Sequence, residues 1–249
     1  MEKDLFFLLG GADLEMQTIR DVLVREGIPF SDHHLRWDSA WLSSYESELR
    51  TTKEGQIIYG IELHEDILPP ACYRLIDHHN DRSSFSSALE QVMELLQLPM
   101  SHYEQLVAAN DKAYIPGMLA MNASAEEIAA IRRADRKAQG VTDEEEALAE
   151  KAIADNLDIT NGLMIVYALS PCFSPICDRL YPYHKLLVYT DSEWVYYGEG
   201  ANQIRNLFVD ELDAGDLYYG GGKQGYVGIK RRVYNPNEIF EMVNKIKKL

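Results

Sequence analysis

Residues 72–80 read Cys72-Tyr73-Arg74-Leu75-Ile76-Asp77-His78-His79-Asn80. A short apolar stretch, Cys72 to Ile76, runs straight into an acid and two imidazoles. This predicts a buried strand that delivers Asp77, His78 and His79 to the edge where it ends. Two other predicted strands end in the same way. Leu5-Phe6-Phe7-Leu8-Leu9 is a continuous apolar run, followed by Gly10-Gly11 and then by Asp13 and Glu15. Gln56 to Leu63 contains Ile57-Ile58-Tyr59 and leads to Glu62 and His64. In an open parallel sheet, ligands bind beyond the carboxyl ends of the strands, so these residues are expected to converge there. Asp111, after a helix around 101–110, is expected to join from the side. Carboxylates with imidazole and no thiolate suit Mn²⁺ or Mg²⁺ better than structural zinc. Taken singly, each residue has a plainer role: Asp13 as a helix N-cap, Glu15 as a first-turn acid, His78 as a hydrogen-bonded structural residue. Their coincidence at one edge of one sheet points to a site.

Working outward, Gly10-Gly11 open a helix with Met16, Ile19, Val22 and Leu23 on its apolar face, and Gly27 stops it. A short strand is expected near 28–30. Trp37, Trp41 and Tyr45 recur at fours, which predicts a helix face packed in the core. Ser87/Glu90, Ser124/Glu127 and Thr142/Glu145 have capping-box spacing and predict helix starts. The acidic run Asp143 to Glu146 lies at one of these starts, where it complements the helix dipole. Further on, 163–169, 185–189 and 194–197 read as strands and 201–212 as a helix. The loop Tyr218-Tyr219-Gly220-Gly221-Gly222-Lys223-Gln224-Gly225 follows, then a strand over 226–233. Asn235-Pro236 opens the last helix. The expected fold class is α/β, with a parallel-sheet N-terminal lobe over 1–123, a helical connector over 124–158 and a smaller mixed-sheet lobe over 159–249. The site is expected in the cleft between the lobes.

The chain has 249 residues, with 24 Lys plus Arg against 40 Asp plus Glu and a formal net charge of −16. That field repels a polyphosphate backbone, so bulk nucleic-acid binding is not expected. A small phosphorylated substrate held by a few local groups or metal ions remains compatible. Three cysteines, Cys72, Cys172 and Cys177, form no disulfide framework and no zinc-ligand pattern. The apolar run at 5–9 is too short for a membrane span and lacks a signal-peptide flank. A cytoplasmic protein without membrane association is therefore expected. Its oligomeric state is open, a homodimer included.

Asp77-His78-His79 directly after a strand resembles the signature triplet of the DHH phosphoesterase superfamily. The C-terminal order also resembles that family's smaller domain, in which a strand and a helix precede a Gly-Gly-Gly-His loop and a last strand. Here the loop is Gly220-Gly221-Gly222-Lys223. A second triplet, Asp32-His33-His34, is read as surface loop because no clear strand feeds it. The resemblance implies a metal-dependent hydrolase, a phosphoesterase acting on a small phosphorylated or nucleotide substrate with manganese or magnesium. It implies Asp13, Glu15, Glu62, Asp77, His78 and Asp111 as metal ligands or their immediate supports. His78, His79 and Asp77 would be catalytic, with His79 on the substrate phosphate or a second metal. Gly220, Gly221 and Gly222 would cradle phosphate with their amides, and Lys223 would supply charge. Two departures stand out. The family's first motif is a His followed by two Asp flanking one residue, and here those positions read Leu9, Asp13 and Glu15. The loop carries Lys223 in place of His. These departures raise the alternative of a degenerate member that binds a nucleotide or a protein partner without turnover. A serine or cysteine hydrolase has little support, since Gly-x-Ser-x-Gly is absent and no cysteine has a His nearby in sequence.

Overall fold

The computed structural model describes residues 4–221, 225–229 and 234–249. The chain divides into two compact units, Met1–Gly140 and Val141–Leu249.

In the first unit the order is β1 (Leu5–Leu9), α1 (Leu14–Arg25), β2 (Phe30–Ser31), α2 (Glu46–Arg50), β3 (Ile57–Ile61) and β4 (Tyr73–Ile76). Three helices follow: α3 (Ala88–Leu95), α4 (His102–Ala120) and α5 (Ala125–Ala138). The sheet is parallel throughout, with order β2-β1-β3-β4. Its central strands are continuous apolar runs because both faces are covered. Helix α1 buries Met16, Ile19, Val22 and Leu23 and packs against α3, α4 and α5. A second cluster joins Leu8, Ile58 and Tyr73 of the sheet to Ala40, Leu42 and Tyr45. The register sets Leu9 opposite Ile61, and Ile61 opposite Ile76. The three strands end in one row, so Gly10, Glu62 and Asp77 leave the sheet at one level.

The first unit departs from the sequence-based expectation in two places. Trp37, Trp41 and Tyr45 do not share a helix face. Short 3₁₀ turns occupy Trp37–Ser39 and Leu42–Tyr45, and α2 begins only afterwards. The cause is a competing backbone pairing: His64 N–H donates to Ala40 O at 2.8 Å and Leu42 N–H to His64 O at 2.9 Å. Tyr45 is buried, whereas Trp41 is 43% exposed. The second triplet, Asp32-His33-His34, is in fact fed by a strand, β2. Its groups are engaged elsewhere: Arg20 Nε donates to Asp32 at 2.6 Å, and His33 lies 2.8 Å from Glu48.

The second unit contains α6 (Asp143–Asn156), β5 (Leu157–Thr160), β6 (Leu163–Tyr167), α7 (Ser174–Leu180), β7 (Lys185–Tyr189) and β8 (Trp194–Gly198). It continues with α8 (Ala201–Leu207), α9 (Val209–Asp213), β9 (Leu217–Gly220), β10 (Tyr226–Ile229) and α10 (Pro236–Lys247). The mixed sheet has order β5-β6-β7-β8-β10-β9, and only β6 and β7 pair parallel. Trp194, Phe208, Ile239 and Val243 lie in one core, and Ala152, Ile176, Leu186 and Val188 in another. The predicted helix over 201–212 is interrupted at Phe208 (φ −122°, ψ 49°), whose ring turns inward against Trp194 at 5.2 Å. Tyr218, Tyr219 and Gly220, read as loop, form edge strand β9, with Gly220 opposite Tyr226. Residues 230–233 of the expected strand lie outside the described residues, as do Gly222 and Lys223. The two helices grouped as a connector divide between the units: α5 packs with α1 and α4, and α6 with α7 and β6. Among the described residues no helix is long and apolar enough to cross a membrane.

Candidate metal centre

Each strand end contributes differently to the edge. After β1, Gly10 passes so close to β3 that a Cβ would stand 2.4 Å from Ile61 O. The chain then enters α1 with Asp13 as N-cap, its Oδ1 accepting from Met16 N–H at 2.8 Å. The first turn of α1 carries Glu15, which is buried. Its Oε1 accepts from Leu89 N–H, in the first turn of α3, at 3.0 Å, and Oε2 turns toward the row of strand ends. After β3, Glu62 adopts a left-handed conformation with φ 52°. A non-glycine residue held there stores about 1–3 kcal/mol, which is typical of positions whose side chain must point one way. After β4, the Asp77 carboxylate accepts from His79 N–H at 2.9 Å and fixes the turn. Asp111 comes from α4 just before that helix breaks at Ala113 and Tyr114 (φ 54°, ψ −148°).

These elements bring four side chains together. His78 Nε2 lies 2.6 Å from Asp111 Oδ2, 3.1 Å from Glu62 Oε1 and 3.6 Å from Glu15 Oε2. One ligand atom from each of Glu15, Glu62, His78 and Asp111 falls within 4.8 Å of every other. A second group, Glu62, His78 and His79, satisfies the same limit and shares two members with the first. The contacts are close, but they miss the direction a hydrogen bond requires. Among the described residues, Glu15 Oε2, both Glu62 carboxylate oxygens, His78 Nε2, His79 Nε2 and Asp111 Oδ2 are buried without a hydrogen-bond partner. Burial of so much negative charge is costly unless a cation compensates it. The donor set is oxygen and imidazole nitrogen, so the residues fit a hard divalent ion.

Titration behaviour follows from the same crowding. Burial pushes the Asp13 carboxyl well above its ordinary value, against the lowering effect of the Met16 amide, and Glu62, Asp111 and Glu15 add to the rise. Burial likewise raises Asp111, although His78 opposes it. For His78, burial favours the neutral ring, but the carboxylates of Asp111, Glu15 and Glu62 outweigh it and push the imidazole up to about 12. His79 is raised chiefly by Glu62. Without a cation, one imidazolium stands in for it.

The carboxylates of Asp13 and Asp77 are not in either group; they cap α1 and brace the His79 turn. Leu9 is fully buried in β1 and offers no ligand atom. A further set of polar residues, not anticipated from sequence, supports the edge from α5. Asp135 Oδ1 accepts from Leu14 N–H at 3.3 Å, and its Oδ2 accepts from Arg132 Nη1 at 2.7 Å. The same Nη1 reaches Asn110 Oδ1 at 2.9 Å, and the guanidinium lies 4.4 Å from the centre of the Tyr114 ring. Arg132 and Asp135 thus tie the start of α1 to the break in α4. Both sit on a helix rich in charge, where sequence suggests solvation; the one available signal was their i, i+3 spacing on the buried face.

Beside the cluster lies a pocket of about 370 Å³ lined by Trp37, Glu62, Leu63, His64, Asp77, His79 and Asn80. Arg82 lines an adjoining hollow that shares Asp77, His79 and Asn80.

No protein-family model and no curated protein matches the chain. Solved structures do. One is the DHH domain of a protein described as a member of the s1p family of ribosomal proteins, 13% identical, with a TM-score of 0.54, over 98% of this chain and 87% of that one. Another is the pGpG-specific phosphodiesterase PggH from Vibrio cholerae, 13% identical, with a TM-score of 0.52, over 98% of this chain and 99% of that one. The chain has a DHH-like fold.

Proposed function

We propose that this protein is a metal-dependent phosphoesterase acting on a small nucleotide. The observation that carries the reading is the set of buried, unpartnered ligand atoms from Glu15, Glu62, His78 and Asp111 at the carboxyl edge of a parallel sheet. The fold shared with PggH supports a phosphodiester as the substrate class. Mn²⁺ or Mg²⁺ held by those four residues would supply Lewis acidity to a phosphoryl oxygen. The chain does the rest. His79, half-buried and with its imidazole raised chiefly by the Glu62 carboxylate, lines the pocket and would donate to the phosphate. Arg82 adds charge from the adjoining hollow. Gly220, Gly221, Gly222 and Lys223 would bind an anionic group of the substrate. Asp77 holds the turn that aims His78 and His79.

The test is calorimetric titration with Mn²⁺, followed by hydrolysis assays on dinucleotides and pyrophosphate. The parent protein should bind Mn²⁺ and cleave a dinucleotide, and His78→Ala should lose both. Absence of Mn²⁺ binding removes the reading. Buried Leu9 favours a second reading, a nucleotide-binding protein without turnover, because one ligand of the family's first motif is missing. Mn²⁺ and nucleotide binding with no hydrolysis would select that one.

A further inference from the structure

We infer that the pocket beside the cluster, walled by Trp37, receives the planar base of a small nucleotide and so selects among phosphoesters. The inference rests on the reading that a phosphoryl group lies at the cluster. Glu62 and His79 belong both to the ligand groups and to the pocket lining. A substituent on that phosphoryl group therefore extends into the pocket. Its volume, about 370 Å³, lies within the range of small-molecule sites and admits a base with its sugar.

The wall is built to hold an indole in place. Gly11 lies against it so closely that a Cβ there would come within 2.5 Å of the ring. The His79 ring meets it edge-on, with centroids 5.4 Å apart and planes at 84°. The segment carrying it is fastened at several points. Ala40 and Leu42 are bonded to His64, and the buried Tyr45 hydroxyl donates to Leu9 O at 2.5 Å. Trp194, which serves the core, is completely buried, whereas Trp37 stays half-exposed on the pocket. A rigid aromatic wall of this kind stacks any base with little ordering cost. Asp77, Asn80 and His64 place polar groups around it for the edge of the ring. The net charge of −16 favours a small nucleotide over a polyanionic strand.

The experiment compares binding of guanosine monophosphate and ribose 5-phosphate to the full chain, with and without Mn²⁺, by calorimetry. The parent should bind the nucleotide more tightly than the sugar phosphate. Trp37→Leu should weaken the nucleotide about tenfold or more and leave ribose 5-phosphate unchanged, and Trp37→Phe should fall between. Equal affinity of the parent for the two ligands overturns the inference, as does an equal loss of both in Trp37→Leu. If Trp37→Leu does not fold, Trp37→Phe decides by the same criterion. Selective nucleotide binding without hydrolysis of any ester supports the wall and removes turnover. Dinucleotide hydrolysis with KM unchanged in Trp37→Phe removes the wall and leaves turnover.

Discussion

His78 Nε2 and Asp111 Oδ2 stand 2.6 Å apart, although one residue ends a strand and the other precedes a break in a helix. Without a cation, the carboxylates keep the His78 ring protonated up to about 12. A metal ligand must be neutral, so ion binding has to expel that proton. Calorimetry of Mn²⁺ binding near pH 7, in buffers of different ionisation enthalpy, should show release of about one proton. Affinity should rise with pH, because protons compete for the same nitrogen. Buffer-independent heats would contradict the assignment.

Asp13 gives a stability prediction of definite sign. Its folded carboxyl is raised well above 3.8, chiefly by burial. The native state therefore binds the proton more tightly than the unfolded one, and metal-free stability falls as pH rises from the unfolded value through the folded one. Asp13→Asn keeps an N-cap acceptor and removes the charge. Urea melts in chelator should show a flatter pH profile and higher neutral-pH stability for Asp13→Asn. An unchanged slope would mean that Asp13 does not carry this dependence.

Arg132 compensates buried Asp135 and reaches Asn110, the neighbour of Asp111. Arg132→Met should destabilise the fold by about 3–5 kcal/mol, since it removes one half of a buried ion pair, although Asp135 keeps the Leu14 and Gln139 donors. The double variant with Asp135→Asn should recover part of this. Both variants should also bind Mn²⁺ more weakly, because the start of α1 and the break in α4 lose their tie. Denaturation midpoints and Mn²⁺ affinities, measured together, check the two claims.

Lys223 and the glycines before it are expected to hold substrate rather than to act on it. A group that binds ground state and transition state equally changes KM, whereas one acting only in the transition state changes kcat. Lys223→Ala should raise KM by the equivalent of about 1.5–3 kcal/mol and leave kcat nearly unchanged. His78→Ala should abolish kcat. Steady-state kinetics on dinucleotide substrates distinguish the two; an unaltered KM in Lys223→Ala would remove the segment from substrate binding.

The strands that form the candidate edge were readable because buried parallel strands are written as unbroken apolar runs, as at 5–9 and 57–61. Ser87, Ser124 and Thr142 marked their helices because a side-chain cap and its reciprocal glutamate sit at fixed spacing. The spacing of Trp37, Trp41 and Tyr45 imitates an α-helix because 3₁₀ turns of three and four residues are too short to show their own three-residue period. The true organiser of this segment, the pairing of Ala40 and Leu42 with His64, is long-range and leaves no local trace. Arg132 and Asp135 were missed for a related reason: a charged residue that is buried by a distant partner looks like any solvated one. The break in α4 beside Asp111 likewise depends on packing around Tyr114 and Arg132.

The row Leu9–Ile61–Ile76 has a consequence for how the site comes apart. Glu62 and His78 stand one and two residues beyond the backbone amides of Ile61 and Ile76, strand residues that are buried and paired in the sheet. Such amides exchange with solvent only when the whole unit opens, whereas broken helices and surface turns open in smaller steps. The strand-borne ligands therefore persist for as long as the unit is folded. Loosening begins at Asp111, the one member of the cluster that hangs from an interrupted helix.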